Sequence, residues 1–292
     1  MGLSVLFNIP SLESQNQLTQ TSNSLQNTLT QLTTGSRINS GADDPAGLQI
    51  SNLLNAATSA LNQSVNNASS GIGLAQVADG GLSQVSTLLN TAVTLATEAA
   101  NGGLSSQQLS ALGTEYNNIL TEIGNIGTNT NFNGSAVFGS STTSVFLTDL
   151  TTSYTIGVTT TTLTTANLGL TTTDFTVSGN PQTALNQINS AIVNVGSIRG
   201  KIGAAINQLQ DAQNVDTVEA QNTTSALNTI TAANIPQVVS NLTKFTILDQ
   251  TGIAALTQAN SLPQGLLKLL PECFSPSHNP RGRFWRLRGF GF

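Results

Sequence analysis

The stretch LTTGSRINSGADDPAGLQI at residues 32–50 separates two long helical patterns and decides how the chain is organised. Gly35 can end the first helix in the left-handed conformation. The NSG run at 39–41 has turn chemistry. Asp44 followed by Pro45 predicts a helix start, because proline fits the first helical position and the Asp44 carboxylate can accept an amide hydrogen bond from the first turn.

Cations are scarce in the N-terminal two-thirds of the chain. Arg37 is the only cation before Arg199, and Asp43 and Asp44 lie a few residues beyond it. We therefore expect Arg37 to form an ion pair with one of these carboxylates. Taken by themselves, the residues predict a capped helix–loop–helix whose role is structural.

The composition limits the possible functions. Of the 292 residues, 38% are hydrophobic, 4% are aromatic and only 8% are charged, against about 25% charged in a typical domain. Small residues let helices approach closely, and an uncharged polar surface does little to repel copies of itself. This composition therefore favours self-association. A formal net charge of -5 offers no basic field for nucleic acid.

Charge is unevenly distributed along the chain. Residues 1–270 contain five cations and thirteen anions, whereas 271–292 contain four arginines and one glutamate. Cys273, His278 and Trp285, the only residues of their types, also lie in this tail. One cysteine cannot define a redox compartment, and the three prolines of the tail block a regular helix.

Signals for membranes and export are absent from the sequence. The N-terminal residues MGLSVLFNIPSLESQ have no basic region and too short an apolar run for a secretory signal. No apolar stretch reaches transmembrane length, so we expect no membrane insertion. By this criterion alone the protein would be cytoplasmic.

Helical spacing dominates the N-terminal part. From about 11 to 34 a thin stripe repeats every seven residues at Leu18, Leu25 and Leu32, which indicates a helix that needs a partner. A second helix is predicted from Pro45 to about residue 100, and a third, capped by Ser105 or Ser106, should fold back on it. The second helix has two apolar columns. The first consists of Leu54, Leu61, Ala68, Ala75, Leu82, Leu89 and Ala96. The second consists of Ile50, Ala57, Ala78, Val85 and Ala92.

The period changes between 131 and 180, where Thr, Val, Phe and Tyr are frequent and β-strands are favoured. We predict short strands or hairpins in SVFLTDL (144–150), SYTIGV (153–158) and DFTVSG (174–179). Helical spacing returns at Pro181, runs through Val215 and Val218, and is interrupted or restarted at Pro236. The predicted fold is mainly α, with antiparallel, coiled-coil-like rods that pair the N- and C-terminal segments and a small strand-rich β-hairpin region at the tip.

Catalytic motifs are missing. The sequence has no Gly-rich phosphate loop, and no His or Cys lies before residue 271. Glu115 and Glu122 are seven residues apart and fit an ordinary helix face. We expect no enzyme activity, no cofactor and no metal.

The 32–50 stretch resembles the bacterial flagellin hallmark L-S-S-G-x-R-I-N-S-A-x-D-D-A-A-G. The resemblance covers roughly the first half of the chain and about 181–270. It continues at NASSGI (67–72), AANG (99–102), NFNG (131–134), RGKIGA (199–204) and ANSLPQ (259–264). It implies a subunit of the extracellular flagellar filament, exported without cleavage of a signal peptide. Its partners would be identical subunits, an export chaperone, the cap and the hook-associated proteins.

The resemblance also implies a division of the chain. Residues 1–40 and 236–270 would form the inner helical domain, which folds when neighbouring subunits bury it. Residues 41–130 and 181–235 would form the outer rod, with a short variable insert at 131–180. Arg37, Asn39, Asp43, Asp44 and Pro45 would form an assembly hinge.

Flagellins also resemble one another in a rod patch that an innate immune receptor detects. Aligned on AANG, this patch falls at 90–98 with Glu115 facing it, and Leu95 and Glu115 match contact residues. Thr91 and Val93 stand where the family has arginines, so guanidinium contacts are missing. We therefore expect weak receptor activation.

Two other functions fit parts of the sequence. A hook–filament junction protein shares terminal helices with flagellins, although the hallmark and the 199–204 segment favour a flagellin. A secreted adhesin or receptor ligand would use the Thr-rich insert, whose Ser and Thr residues also suit O-glycosylation. The tail 271–292 departs from the family, which typically ends near a pair such as Leu269-Leu270, and we interpret it as a disordered accidental extension.

Overall fold

The computed structural model describes residues 8–139, 142–148 and 153–269, without the side chains of 262–269. The tail 271–292 lies outside the described residues. The elements in chain order are α1 (Ile9–Thr34), α2 (Pro45–Ala99), α3 (Ser106–Asn129), β1 (Asn131–Phe132), β2 (Ser135–Ala136), β3 (Thr143–Thr148), β4 (Ser153–Val158), α4 (Asn180–Thr231) and α5 (Ile235–Leu269).

The predicted mainly α fold is confirmed. The chain divides into two compact units, which we call the terminal unit (residues up to Pro45 and from Thr231 onwards) and the central unit (Ala46–Ile230). In the part of the chain that the structure describes, none of the helices combines the length and hydropathy needed to span a membrane.

The terminal unit pairs α1 with α5 in antiparallel orientation, as predicted. Contacts at the start of α1 reach the last third of α5, and contacts beyond the end of α1 reach the loop before α5. The contacting pairs are Asn8 with Ala259, Ser11 with Asn260, Leu18 with Gly252 and Ser36 with Ala232.

Local signals explain the ends of these helices. Asn8 caps α1 by accepting a hydrogen bond from the Ser11 amide, and Gly35 ends it with φ 67°. α4 stops at Thr231 and α5 begins at Ile235 with Pro236 in its first turn, so the predicted interruption is confirmed. Proline is tolerated there because the amides of the first turn have no partner within the helix.

The central unit is built on an antiparallel pair formed by α2 and α4. Residue numbers in the contacting pairs sum to nearly the same value, which defines one continuous register. These pairs are Ser64 with Asp216, Ser69 with Gln213, Gly71 with Leu209 and Asp79 with Arg199.

α3 folds back along α2, as predicted. Ser105 and Gln108 form a capping box, in which each side chain bonds to the backbone amide of the other residue. At the other end of α3, Thr130 and Phe138 lie beside Gly81 in the middle of α2. The chain therefore leaves α3 beside Gly81, well before the start of α2 is reached.

This return decides where the strands lie. β1 and β2 are joined by Asn133 and Gly134, both with positive φ (49° and 78°), which is the geometry of a tight hairpin. β3 and β4 pair antiparallel, and β3 packs on α2 through Ser64 and Asn67. The strands thus lie alongside the middle of α2 and not at the tip, where we expected them.

The predicted third strand at 174–179 is wrong. Asp174 accepts hydrogen bonds from the amide and hydroxyl of Thr176, and its carbonyl accepts one from the Asn180 side chain. These bonds close a turn before α4, because Asp can bond its own backbone two residues on. The Thr-rich segment before it is irregular and packs through buried Leu163, Leu168, Leu170 and Phe175.

The described hydrophobic core cluster lies in the central unit and is rich in alanine. Most of the predicted α2 columns are buried, but Ile50, near the start of α2, is 47% exposed. Val215 and Val218, which we placed in the α4 seam, are also exposed, at 61% and 57%. The buried residue at this level of α4 is Asp216.

Candidate functional site

The two breaks between helices in the terminal unit lie side by side. The Arg37 amide donates to the Thr231 carbonyl at 2.7 Å, and the Ala233 amide donates to the Gly35 carbonyl at 2.9 Å. The Ser36 hydroxyl donates to the Thr231 carbonyl as well. The loop after α1 and the loop before α5 are therefore joined through their backbones.

Asp43 closes the loop after α1. One carboxylate oxygen accepts from the amides of Asn39 and Ser40, at 3.0 and 2.8 Å, and from the Ser40 hydroxyl at 3.1 Å. These hydrogen bonds, led by that from the Asn39 amide, lower the pKa of Asp43. The Asn39 side chain in turn donates to the Ser36 carbonyl. Asp43 and Asn39 thus shape the backbone of the loop.

Arg37 and Asp44 form the expected ion pair at 3.7 Å. Their side chains are 59% and 37% exposed, and such surface pairs contribute less than about 1 kcal/mol. Pro45 follows as the first residue of α2. The structure therefore places Arg37, Asn39, Asp43 and Asp44 in one loop and Pro45 at the helix start that follows it.

The terminal unit has little core of its own. Among its described residues, the buried apolar side chains are Ile38, Val238 and Ala259. α1 buries Thr21 and Thr28, whereas the predicted leucine stripe is only half-buried. Large apolar side chains are exposed along both helices instead: Ile9, Leu12 and Leu29 on α1, and Ile235, Val239, Ile247, Leu248 and Ile253 on α5.

An ion pair ties α2 to α4 in the central unit. Arg199 donates through Nε and Nη2 to the two carboxylate oxygens of Asp79, at 2.7 and 3.1 Å. The hydrogen bonding from Arg199 lowers the pKa of Asp79, and the same interaction raises the pKa of Arg199. The two-point geometry fixes the orientation of both side chains.

Sequence reasoning missed a buried carboxylate. Asp216 is 4% exposed and accepts a hydrogen bond from the Ser64 hydroxyl, whose oxygen accepts one from the Thr148 amide. This chain of bonds links α4, α2 and β3. Asp216 continues the seven-residue column of Ile202 and Leu209, so the periodicity could have identified it as buried.

The residues of the predicted receptor patch differ in exposure. Leu95 is buried in the core with 8% exposure, whereas Thr91 and Glu115 are exposed. Nearby in α3, Tyr116 is fully buried against Phe175, with ring centroids 5.1 Å apart. Burial raises the pKa of Tyr116 to about 12.

The described residues contain no group of three or more His, Cys, Asp or Glu side chains arranged to hold a metal ion. The geometry of this part of the chain is that of helix pairing, with a structured loop and unpartnered apolar faces.

Two sequence families match the chain. Residues 5–143 match the bacterial flagellin N-terminal helical region, and residues 185–270 match the bacterial flagellin C-terminal helical region. A flagellin of Halalkalibacterium halodurans is 30% identical over 267 residues, which cover 90% of this chain and 98% of that protein. Flagellins of Listeria innocua and Bacillus subtilis are each 28% identical, again with 90% of this chain and 98% of the relative covered.

Solved structures resemble the chain in part. The crystal structure of Bacillus cereus flagellin matches with a TM-score of 0.45 and 25% identity, over 56% of this chain and 94% of that one. A putative flagellar hook-associated protein from Vibrio parahaemolyticus matches with a TM-score of 0.50 and 16% identity, over 65% and 99%. At that identity the second likeness concerns the fold alone.

Proposed function

This chain belongs to the bacterial flagellin family, and we propose from that premise how its structure serves assembly. It is a structural protein, a subunit of the extracellular flagellar filament. The relatives aligned along almost their whole length are flagellins. A junction protein or an adhesin has less support.

The proposal depends on one observation, the large apolar side chains exposed on α1 and α5. Ile9, Leu12, Ile247 and Ile253 are each more than half exposed. Burying such a side chain completely contributes roughly 1.5–3 kcal/mol. A pair of helices with almost no core gains this free energy only when neighbouring subunits cover the exposed faces.

Assembly therefore couples to folding. The α1–α5 pair is marginal in a single subunit because ordering its backbone costs about 1–2 kcal/mol per residue. Contacts with neighbours supply the missing burial and stabilise the folded pair by mass action. We assign residues 1–40 and 236–270 to the inner part of the filament on this basis.

The remaining residues would face outward. Segments 41–130 and 181–235 form the outer part, and the insert 131–180 lies on the filament surface. The loop with Arg37, Asn39, Asp43, Asp44 and Pro45 acts as the hinge where the chain passes between the parts. Its backbone bonds to Thr231 and Ala233 support this role.

Membership of the family supports our proposals for export and partners. We propose export as an unfolded chain without cleavage of a signal peptide, with an export chaperone, the cap and hook-associated proteins as further partners. Catalysis, cofactors and nucleic acid have no part in this function. Receptor activation should be weak, since Thr91 and Val93 replace arginines and only 8% of the Leu95 surface is accessible.

Polymerisation of variants tests the mechanism. Leu12→Gln on α1 and Ile253→Gln on α5 each remove an exposed apolar side chain from the terminal unit. We expect either change to reduce filament yield at least tenfold in seeded polymerisation followed by electron microscopy. The matched control is Phe146→Gln, because Phe146 is 52% exposed on β3 and should lie on the filament surface.

Normal filaments from both terminal-unit variants would contradict the mechanism. Failure of the wild-type chain to polymerise under varied salt and seeding would contradict the function itself.

A further inference from the structure

The β3–β4 hairpin has one covered edge and one open edge. Ser64 and Asn67 of α2 bond to the outer edge of β3: the Asn67 side chain donates to the Phe146 carbonyl, and the Thr148 amide donates to the Ser64 hydroxyl. Phe146 and Thr148 therefore direct their backbone groups away from β4. Groups at alternate residues of a strand point to the same side, so the register of the hairpin determines the other edge as well.

The opposite edge is formed by Ser153, Thr155 and Gly157. They pair with Thr148, Phe146 and Ser144, so their amides and carbonyls point away from β3. Among the described residues, no hydrogen-bond partner reaches these groups. All three residues are exposed.

This edge lacks the features that usually keep strands apart. Soluble proteins protect edge strands with lysine, proline, bulges or covering elements. β4 has the sequence SYTIGV and β3 the sequence TSVFLT, with no charged residue and no proline in either. On a chain whose net charge is -5, the hairpin is a surface where two copies meet without opposing like charges.

The side chains of β4 are complementary to a second β4. If two copies pair antiparallel with Thr155 opposite the partner copy's Thr155, Tyr154 lies opposite Ile156 of the other copy. Aromatic and β-branched residues are favourable cross-strand pairs. Tyr154 is 44% exposed, so this register covers an aromatic side chain that a single subunit leaves accessible to water.

We propose that β4 is a docking edge for β4 of a second copy, which joins two hairpins into a four-stranded antiparallel sheet. A β4–β4 contact is isologous, because both copies contribute the same residues, whereas the subunits within one filament repeat head to tail. The contact therefore links two free subunits or two neighbouring filaments, and it is separate from the terminal-unit contacts of the proposed function. Pairing of one short strand is weak alone and becomes strong when repeated along two filaments.

Disulfide trapping tests the edge and its register. In the full chain with Cys273→Ser, Thr155→Cys places one thiol at the symmetric position. Residues opposite each other in a hydrogen-bonded pair have Cα atoms about 5.5 Å apart, within reach of a disulfide. We expect Thr155→Cys to form covalent dimers at least tenfold faster than Ser144→Cys on the β3 edge.

Ser153→Cys is the control for the register of the β4–β4 pairing. Ser153→Cys lies opposite Gly157 of the other copy and should also be at least tenfold slower. Equal rates for the three variants would overturn the proposal.

A proline variant provides an independent measurement. Thr155→Pro removes an amide that points away from β3, so the hairpin keeps its own bonds. Sedimentation of the unassembled subunit, before seeding, measures its self-association. We expect self-association to fall at least fivefold in Thr155→Pro and to stay unchanged in the control Ser144→Pro. Circular dichroism checks that both variants fold. Unchanged association in Thr155→Pro would contradict the proposal. Seeded polymerisation of this variant should remain normal, so failure of the edge is distinguishable from failure of the proposed function.

Discussion

At the scale of single residues, two buried hydroxyl groups stand out because no hydrogen bond from the described residues satisfies them. Tyr116 Oη and Thr160 Oγ1 are buried and have no partner among the described residues. Most buried polar groups in proteins are bonded, and an unsatisfied one costs about 1–3 kcal/mol. These positions should gain stability when the hydroxyl is removed.

We expect Tyr116→Phe and Thr160→Val each to raise the free energy of unfolding by about 1 kcal/mol. The matched control is Thr130→Val, because the Thr130 hydroxyl donates to the Ile126 carbonyl at 2.6 Å and its loss should destabilise. Chemical denaturation of the three variants measures the differences. A loss of stability in Tyr116→Phe would show that the phenol has a partner in solution.

Tyr116 also predicts sensitivity to alkali. Its pKa rises from 10.0 in the unfolded chain to about 12 in the fold, so the unfolded state releases its proton first. The contribution of protonated Tyr116 to the free energy of unfolding is fully present below pH 10 and is lost as the pH rises towards 12. Unfolding free energies measured across this range should fall less steeply in Tyr116→Phe than in the wild-type chain.

The Asp79–Arg199 pair predicts that the free energy of unfolding falls in acid. The folded pKa of Asp79 lies below 3.8, so its contribution is present above that value and is lost as the pH falls through the folded pKa. Both side chains are 38% exposed, so solvent screening limits the effect to about 0.5 kcal/mol. Asp79→Asn should be less stable than wild type at pH 7 and equal to it near pH 2. The control is Asp211→Asn, because Asp211 is an exposed aspartate on α4, and this variant should match wild type at pH 7.

At the scale of elements, α3 shows how one helix can contain two different kinds of glycine. A Cβ at Gly127 would overlap the Leu163 carbonyl, whereas nothing lies within 4 Å of the same position at Gly124. The first glycine permits a close approach of the Thr-rich segment, and the second only lowers helix propensity.

Gly124→Ala should therefore stabilise the protein by about 0.5–1 kcal/mol, and Gly127→Ala should destabilise it by about 1–3 kcal/mol. Thermal unfolding of the two variants provides the comparison within one helix. If both changes stabilise, the contact between Leu163 and α3 does not persist in solution.

The loop between α1 and α2 is the other element with a distinct prediction. Arg37→Ala combined with Asp44→Ala should lower filament yield more than it lowers the helix content of the subunit, because a small loss repeats at every subunit of the filament. Asp43→Ala should be more severe, since Asp43 bonds to both Asn39 and Ser40. Normal filaments from all these variants would show that the loop only connects helices.

At the scale of the whole molecule, stability is unevenly distributed. The core cluster lies in the central unit, whereas the terminal unit buries few apolar side chains. Local stability follows buried apolar contacts.

In the unassembled subunit, amide hydrogens of α1 and α5 should exchange at least a hundredfold faster than those in the middle of α2 and α4. Hydrogen exchange with mass spectrometry measures both sets in one sample. In filaments the difference should largely disappear, because neighbouring subunits then cover the terminal helices. Slow exchange of α1 and α5 in the free subunit would contradict folding on assembly.

Much of this architecture was determined by the sequence itself. Helix ends at Gly35, Pro45, Ser105 and Pro236 follow from capping and proline chemistry, which acts over a few residues. Seven-residue spacing identified the buried columns in the middle of α2, because a helix repeats its faces whatever packs against them. The antiparallel pairing of the two ends followed from these patterns and from the family resemblance.

Only the tertiary structure decided which element covers each face. We placed Ile50 and Val215 with core positions, yet the side chains of both are exposed in the fold. The seven-residue column of Ile202 and Leu209 continues to Asp216, which is buried because Ser64 supplies the hydrogen bond that a buried carboxylate requires. The strands lie beside the middle of α2 because α3 returns the chain there. Periodicity defines a face of a helix, but its burial depends on residues distant in sequence that happen to pack there.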